Sequence, residues 1–175
     1  MNISLYVMIL SSLLLNSNIL GQSIYAEFAG NSAGYYSLNY EHRLKEAERK
    51  VWSLHGGISY YRVLDAYTKY SVPIGITYFR KPQSNHHKEV GACLNYVHGL
   101  VDNRANWILN GVQYSKALVL IANVGYRYQK PEGGFLFKIY YAPLIVLKEF
   151  EKAPYYFYRE SFYPINLGIS FGYAF

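Results

Sequence analysis

Residues 166–175 read NLGISFGYAF, and they decide how the rest of the chain is read. Leu167, Ile169, Phe171, Tyr173 and Phe175 are large, while Gly168, Ser170, Gly172 and Ala174 between them are small. Strict alternation predicts a β-strand with one bulky face and one slim face. A strand with one face in water carries Lys, Glu and Thr on that face. Here the second face carries only small residues.

The same period-two pattern extends back through the chain, with no convincing amphipathic helix. Interruptions at GNSAG (30–34), KEAERK (45–50), RVLDAYTKY (62–70), RKPQSN (80–85), GLVDNRANWILNGVQYS (99–115), QKPEGG (129–134) and KEFEKAPYYFYRESFY (148–163) punctuate it. They leave eight extended segments, at about 24–29, 35–44, 51–61, 71–79, 86–98, 116–128, 135–147 and 164–175. Several approach the ~9–11 residues that a tilted strand needs to cross a bilayer. The connections alternate between short turns and loops that lengthen toward the C-terminus, as in outer-membrane barrels. The first of the external loops, NSAG, is unusually tight for that scheme.

Composition narrows the class further. The chain has 175 residues, enough for one domain. Residues 1–22 are expected to be a secretory signal peptide: an apolar stretch from Ile3 to Leu15, then polar residues. Residues 23–175 then form the domain. Cys93 is the single cysteine, so disulfides cannot hold an exported fold together. The net charge of +6 is scattered, which fits a solvated surface and anionic head groups and gives no nucleic-acid patch. Tyrosine is abundant, 21 residues against 2 Trp, and suits boundaries between apolar and aqueous phases.

Parity assigns the faces. The bulky sets are Phe135, Phe137, Ile139 and Tyr141; Leu118, Leu120, Val124, Tyr126 and Tyr128; Trp52, Leu54, Ile58 and Tyr60; and Tyr36, Leu38 and Tyr40. The opposite faces hold Glu27, Asn39, Glu41, Arg43, His55, Glu89, Asn95, Asn123, Arg127, Lys138 and Asn166. A soluble lipocalin-like barrel would turn the apolar face inward and put these groups in water. An eight-stranded barrel, however, is only just wide enough for its own side chains, and small residues with a few paired charges suit its lumen. Lys or Arg turned to mid-bilayer costs about 2–4 kcal/mol. The expected architecture is therefore an all-β, eight-stranded, antiparallel up-and-down transmembrane barrel. Glu27, Glu41 and Glu89 balance Arg43, Arg127 and Lys138 as a structural lumen network of salt bridges, with an ion-selective constriction as the competing reading.

The terminal strand also resembles the element that barrel-assembly machinery reads in outer-membrane proteins, with Tyr173 and Phe175 at the third-from-last and last positions. Ser170 stands where that pattern favours Gly. With YAEFAGNSAGYYSLNYEHRL and GYRYQKPEGGFLFKIYYAPL, the chain resembles small outer-membrane β-barrels of the OmpA/OmpW-like superfamily, Bacteroidetes-type. The resemblance implies a bacterial outer-membrane location, contact with lipid and lipopolysaccharide, and the assembly machinery as a partner during insertion. It implies no activity.

Candidate sites carry little catalytic chemistry. Some small outer-membrane barrels are lipid A-modifying enzymes with a His-X-Ser pattern, which is absent here. His55 and Ser53 share a face and could in principle pair as base and nucleophile, although small polar lumen residues explain them as well. His86 and His87 are neighbours on a strand, point to opposite faces and cannot easily share a metal with Glu89. Cys93 reads as a buried small residue beside Asn95. No catalytic residue, cofactor or metal is expected. The aromatic loop with Tyr155, Tyr156, Phe157, Tyr158 and Arg159 is an external surface, either a partner-binding site or a girdle on lipopolysaccharide. The leading expectation is a non-enzymatic barrel with a structural or loop-presenting role. A porin-like channel for a small solute or hydrophobic ligand is second, and a lipid A-modifying enzyme third.

Overall fold

The computed structural model describes residues 21–32, 36–47, 50–63, 67–80, 83–102, 112–151 and 162–175. The alternating sequence forms β1 (Gln22–Ala29), β2 (Tyr36–Ala47), β3 (Lys50–Val63), β4 (Tyr67–Arg80) and β5 (His86–Asp102). β6 (Val112–Gln129), β7 (Gly134–Tyr141), β8 (Leu144–Glu151), β9 (Phe162–Tyr163) and β10 (Leu167–Ala174) follow. A 3-10 turn, Gly30–Ser32, comes directly after β1. All neighbours pair antiparallel.

β6 pairs with β7 along 124–129 and with β8 along 116–121, so β7 and β8 are two parts of one wall strand. β10 pairs with β7 and β9 with β8, which makes β9 and β10 the next wall strand. With β5 joined to β6 and β10 to β1, the sheet closes as an eight-stranded antiparallel barrel. The seam runs from Ser23↔Ala174 to Ala29↔Gly168. Beyond it, the Phe175 N–H donates to the Gln22 carbonyl (2.8 Å) and Gly21 N–H to the Phe175 carbonyl (2.9 Å). Closure at the seam pairs the first and last wall strands and removes the edge each would otherwise present.

The ladders are longer than alternation predicts. β3 and β4 continue through Val63↔Tyr67, and β5 and β6 through Asp102↔Val112. Much of the expected loop sequence is thus strand, because its Tyr, Val and Thr side chains favour paired, extended backbone. The two expected C-terminal strands, conversely, are interrupted. Pro143 has no N–H for the ladder and separates β7 from β8. Opposite it, Pro164–Asn166 separates β9 from β10.

The slim face of β10 has a steric cause. A Cβ on Gly168 would strike the Tyr140 ring, and one on Gly172 would strike the Ile24 carbonyl and Tyr25. Tyr25 (1% exposed) and Tyr140 (3%) lie inside the barrel, and the small residues of the last strand make room for them. Leu167, Phe171, Tyr173 and Phe175 face outward and are exposed. Ile24, Leu38, Leu54, Ile74, Ile76, Val90, Leu94, Val124 and Ile139 continue that apolar outer surface around the barrel.

Candidate functional site

The lumen is filled in two layers. Toward the end with the short turns lies a charged layer. Arg127, 1% exposed, comes from β6. Its Nη2 donates to both oxygens of Glu41 on β2 (2.6 and 2.7 Å), its Nε to Glu89 on β5 (2.6 Å) and its Nη1 to Gln129 (3.0 Å). Lys138 on β7 donates to Glu41 Oε2 at 2.6 Å. Two acids and two bases from four strands thus neutralise one another out of water, the condition under which buried charge is tolerated. Aromatic faces complete the layer. The Arg127 guanidinium sits 4.4 Å from the Phe79 ring centroid and Lys138 Nζ 4.1 Å from that of Tyr25. Below it, both ring nitrogens of buried His87 lie 3.0 Å from backbone carbonyls, of Arg80 and Gln129, tying the ends of β4 and β6 together.

The remaining members of the expected charge network lie elsewhere. Arg43 is half-buried near the short-turn end, packed against Gly21 and 5.8 Å from the Phe79 ring. Glu27 faces the lumen but turns toward the other layer, where Glu27 Oε1 accepts the Ser32 N–H at 3.1 Å.

The second layer is one that the sequence reading missed. The sequence pattern predicts a tight external loop at NSAG, residues 31–34, yet Gly30, Asn31 and Ser32 fold into the barrel and are buried. Three successive carbonyls each receive a side-chain donor from the wall. Asn166 donates to Gly30 O (3.0 Å), Asn95 to Asn31 O (2.8 Å) and Ser71 to Ser32 O (3.0 Å). The Asn31 side chain accepts from Asn123 (3.1 Å) and donates to Tyr140 Oη (3.2 Å). Asn166 also donates to Ala142 O (2.8 Å), so one amide spans the strand break and holds the turn. The available signal was the run of lumen-facing Asn95, Asn123 and Asn166, amides with nothing in sequence to bond.

Beside the turn, the lumen is apolar rather than polar. Cys93, Val97, Ala117, Val119, Ile121, Ala142 and Leu144 pack together on β5, β6, β8 and the break before β8. β6 is apolar on both faces here, with Leu118 and Leu120 on the outer face that parity assigns them and Val119 and Ile121 buried inside.

Ser53 and His55 do not form a nucleophile and base. Ser53 Oγ donates its single proton to Glu41, and His55 Nδ1 faces Thr77 Oγ1 at 3.2 Å. Both side chains are buried inside the lumen. His86 lies on the outer surface, its Nδ1 2.6 Å from Tyr126 Oη, while His87 points inward. Tyr155, Tyr156, Phe157, Tyr158 and Arg159 lie outside the described residues, as do residues 1–20 of the expected signal. Tyr173 and Phe175 stand on the outer face with ring centroids 5.2 Å apart.

Aromatic side chains cluster at two levels of the outer surface. Near the short turns, Trp52 packs on Tyr78 (4.9 Å), His86 on Tyr128 (5.4 Å) and Phe137 on Phe171 (5.3 Å). Near the other end, Tyr60 packs on Tyr70 (5.1 Å), and Tyr70 on His98 (6.4 Å). From Tyr70 to Tyr78 along β4, a rise of about 3.3 Å per residue and a tilt of about 40° separate the two levels by about 20 Å.

No family model matches the chain. The search of curated proteins likewise gives no match. Among solved structures, the chain is similar to the crystal structure of Neisserial surface protein A (NspA). The two are 17% identical over 87% of this chain and 92% of that one, with a TM-score of 0.48.

Proposed function

We propose that the protein is an integral barrel of the bacterial outer membrane, non-enzymatic and closed to ions, with a structural role or one in presenting its external loops to a partner. The observation that carries this reading is the distribution of polarity. Side chains that cost most in hydrocarbon, Arg127, Lys138, Glu41 and Glu89, are paired inside, and a continuous apolar surface faces out. The two aromatic levels, about 20 Å apart, come within about 5 Å of the height of the apolar band in such barrels, about 25 Å. In this reading the short turns face the periplasm, and lipid and lipopolysaccharide contact the outer surface. The barrel-assembly machinery would engage the β10 strand with Tyr173 and Phe175. An OmpA/OmpW-like relationship belongs to the same proposal.

Planar-bilayer recording on the purified full-length barrel tests the closed lumen. The expected record shows no discrete current steps. Regular steps in the wild-type protein would favour the channel reading instead.

A further inference from the structure

The turn Gly30–Ser32 is bound as a ligand would be. Donors from β4, β5, β6 and the segment before β10 converge on three residues, and each carbonyl of the three is read by a different side chain. The match is incomplete on one side. Asn95 and Asn123 spend their NH2 groups on Asn31, yet Asn95 Oδ1 and Asn123 Oδ1 are buried without a hydrogen-bond partner among the described residues. Two acceptors are thus left that the turn cannot satisfy, and each carries a desolvation cost of about 1–3 kcal/mol. The turn is also strained where it leaves β1. Ala29 has φ 56° and Gly30 φ 61°, and a left-handed alanine costs about 1–2 kcal/mol.

We propose that the half of the lumen at the long-loop end is a binding site for a short, amide-bearing ligand such as a peptide fragment, and that Gly30–Ser32 is its resident, displaceable occupant. An amide brings both a carbonyl and an N–H, so it meets the four wall donors, Ser71, Asn95, Asn123 and Asn166, and also the two free Asn oxygens. The apolar wall of Val97, Val119, Ile121 and Leu144 receives its aliphatic part. The charged layer beneath remains shut, so the site is a blind vestibule and not a pore. The inference goes beyond the closed-barrel reading: ion conduction in the wild type would sink that reading, whereas this one is read from chemical accessibility.

Cys93 supplies the readout. It is 1% exposed, lies one inward position from Asn95 on β5 and pairs across the ladder with Ile121. The experiment measures the rate at which a charged, membrane-impermeant maleimide alkylates Cys93 in the folded full-length barrel, with the heat-shifted gel band as the check on folding. Wild type should react slowly. Asn31→Ala should react at least tenfold faster, and Ala29→Gly more slowly than wild type. Millimolar acetyl-Gly-Asn-Ser-amide should then slow Asn31→Ala at least threefold, while an alcohol of similar size should not. If Asn31→Ala does not fold, Ser71→Ala takes its place in the same assay. Unchanged alkylation in a folded variant overturns the displaceable turn. Fast alkylation that the tripeptide amide does not slow overturns the ligand site.

Discussion

The two layers of the lumen close the same barrel by different means. The charged layer is built from side chains fixed on paired strands and held by ion pairs of 2.6 Å. The layer above it is built from a three-residue turn held mainly by amides and hydroxyls, with the Glu27 carboxyl accepting the Ser32 N–H and no ion pair to the turn among the described residues. Buried ions cannot separate without leaving a charge in low dielectric, whereas amides can exchange one partner for another at little net cost. One layer is a permanent floor and the other is a cover. The apolar outer surface is continuous past both.

The largest expected effect follows from removing the floor's centre. Arg127→Ala leaves Glu41 and Glu89 buried with Lys138 as their remaining partner in the ion-pair group, a loss of about 3–5 kcal/mol. The folded gel band should disappear at a markedly lower temperature. Conductance should stay absent, because the turn still covers the lumen. Adding Asn31→Ala to Arg127→Ala should bring current steps that neither single variant shows. Steps in Arg127→Ala alone would mean that the turn closes nothing.

Gly172→Val comes next. Its side chain would collide with Ile24 and Tyr25 beside the floor, and overpacking of this kind costs about 3 kcal/mol. The check is the same thermal transition, with Ala174→Ser on the same face as a mild control. Asn166→Ala should cost about 2 kcal/mol by stripping the donor from two carbonyls, Gly30 and Ala142. Hydrogen exchange should rise around the strand break and the turn but not around Arg127. Ala29→Gly is the smallest effect and has the opposite sign. Relief of the left-handed strain should stabilise the barrel by about 1 kcal/mol.

The floor was more legible in sequence than the cover, for a physical reason. Glu41, Glu89, Arg127 and Lys138 fall on the inward parity of their strands, and a charge in a barrel wall has only one tolerable direction. Parity plus the cost of burying charge therefore reaches both the architecture and the inward residues. It does not reach the pairing, since which acid meets which base depends on strand tilt and register. Arg43 and Glu27 show this, sharing the same parity yet lying apart from the ion-paired group. The cover is harder to read. Gly30, Asn31 and Ser32 have ordinary turn composition, and nothing local says that a turn folds inward. The only trace is distant, in asparagines of β5, β6 and the segment before β10. The break at Pro143 was readable from proline's missing N–H, although the apolar run around it masked the signal.

An apolar surface faces outward around a lumen packed with ion pairs, a buried turn and an apolar cluster. The most direct test of that arrangement is heat modifiability of the native, detergent-extracted outer-membrane fraction, compared with the same chain lacking Phe175. A closed barrel should give a compact band that shifts on boiling and is lost or greatly reduced without Phe175, whose backbone extends the closing seam. A soluble product with no shift on boiling would contradict it, and the apolar face would then belong on the inside.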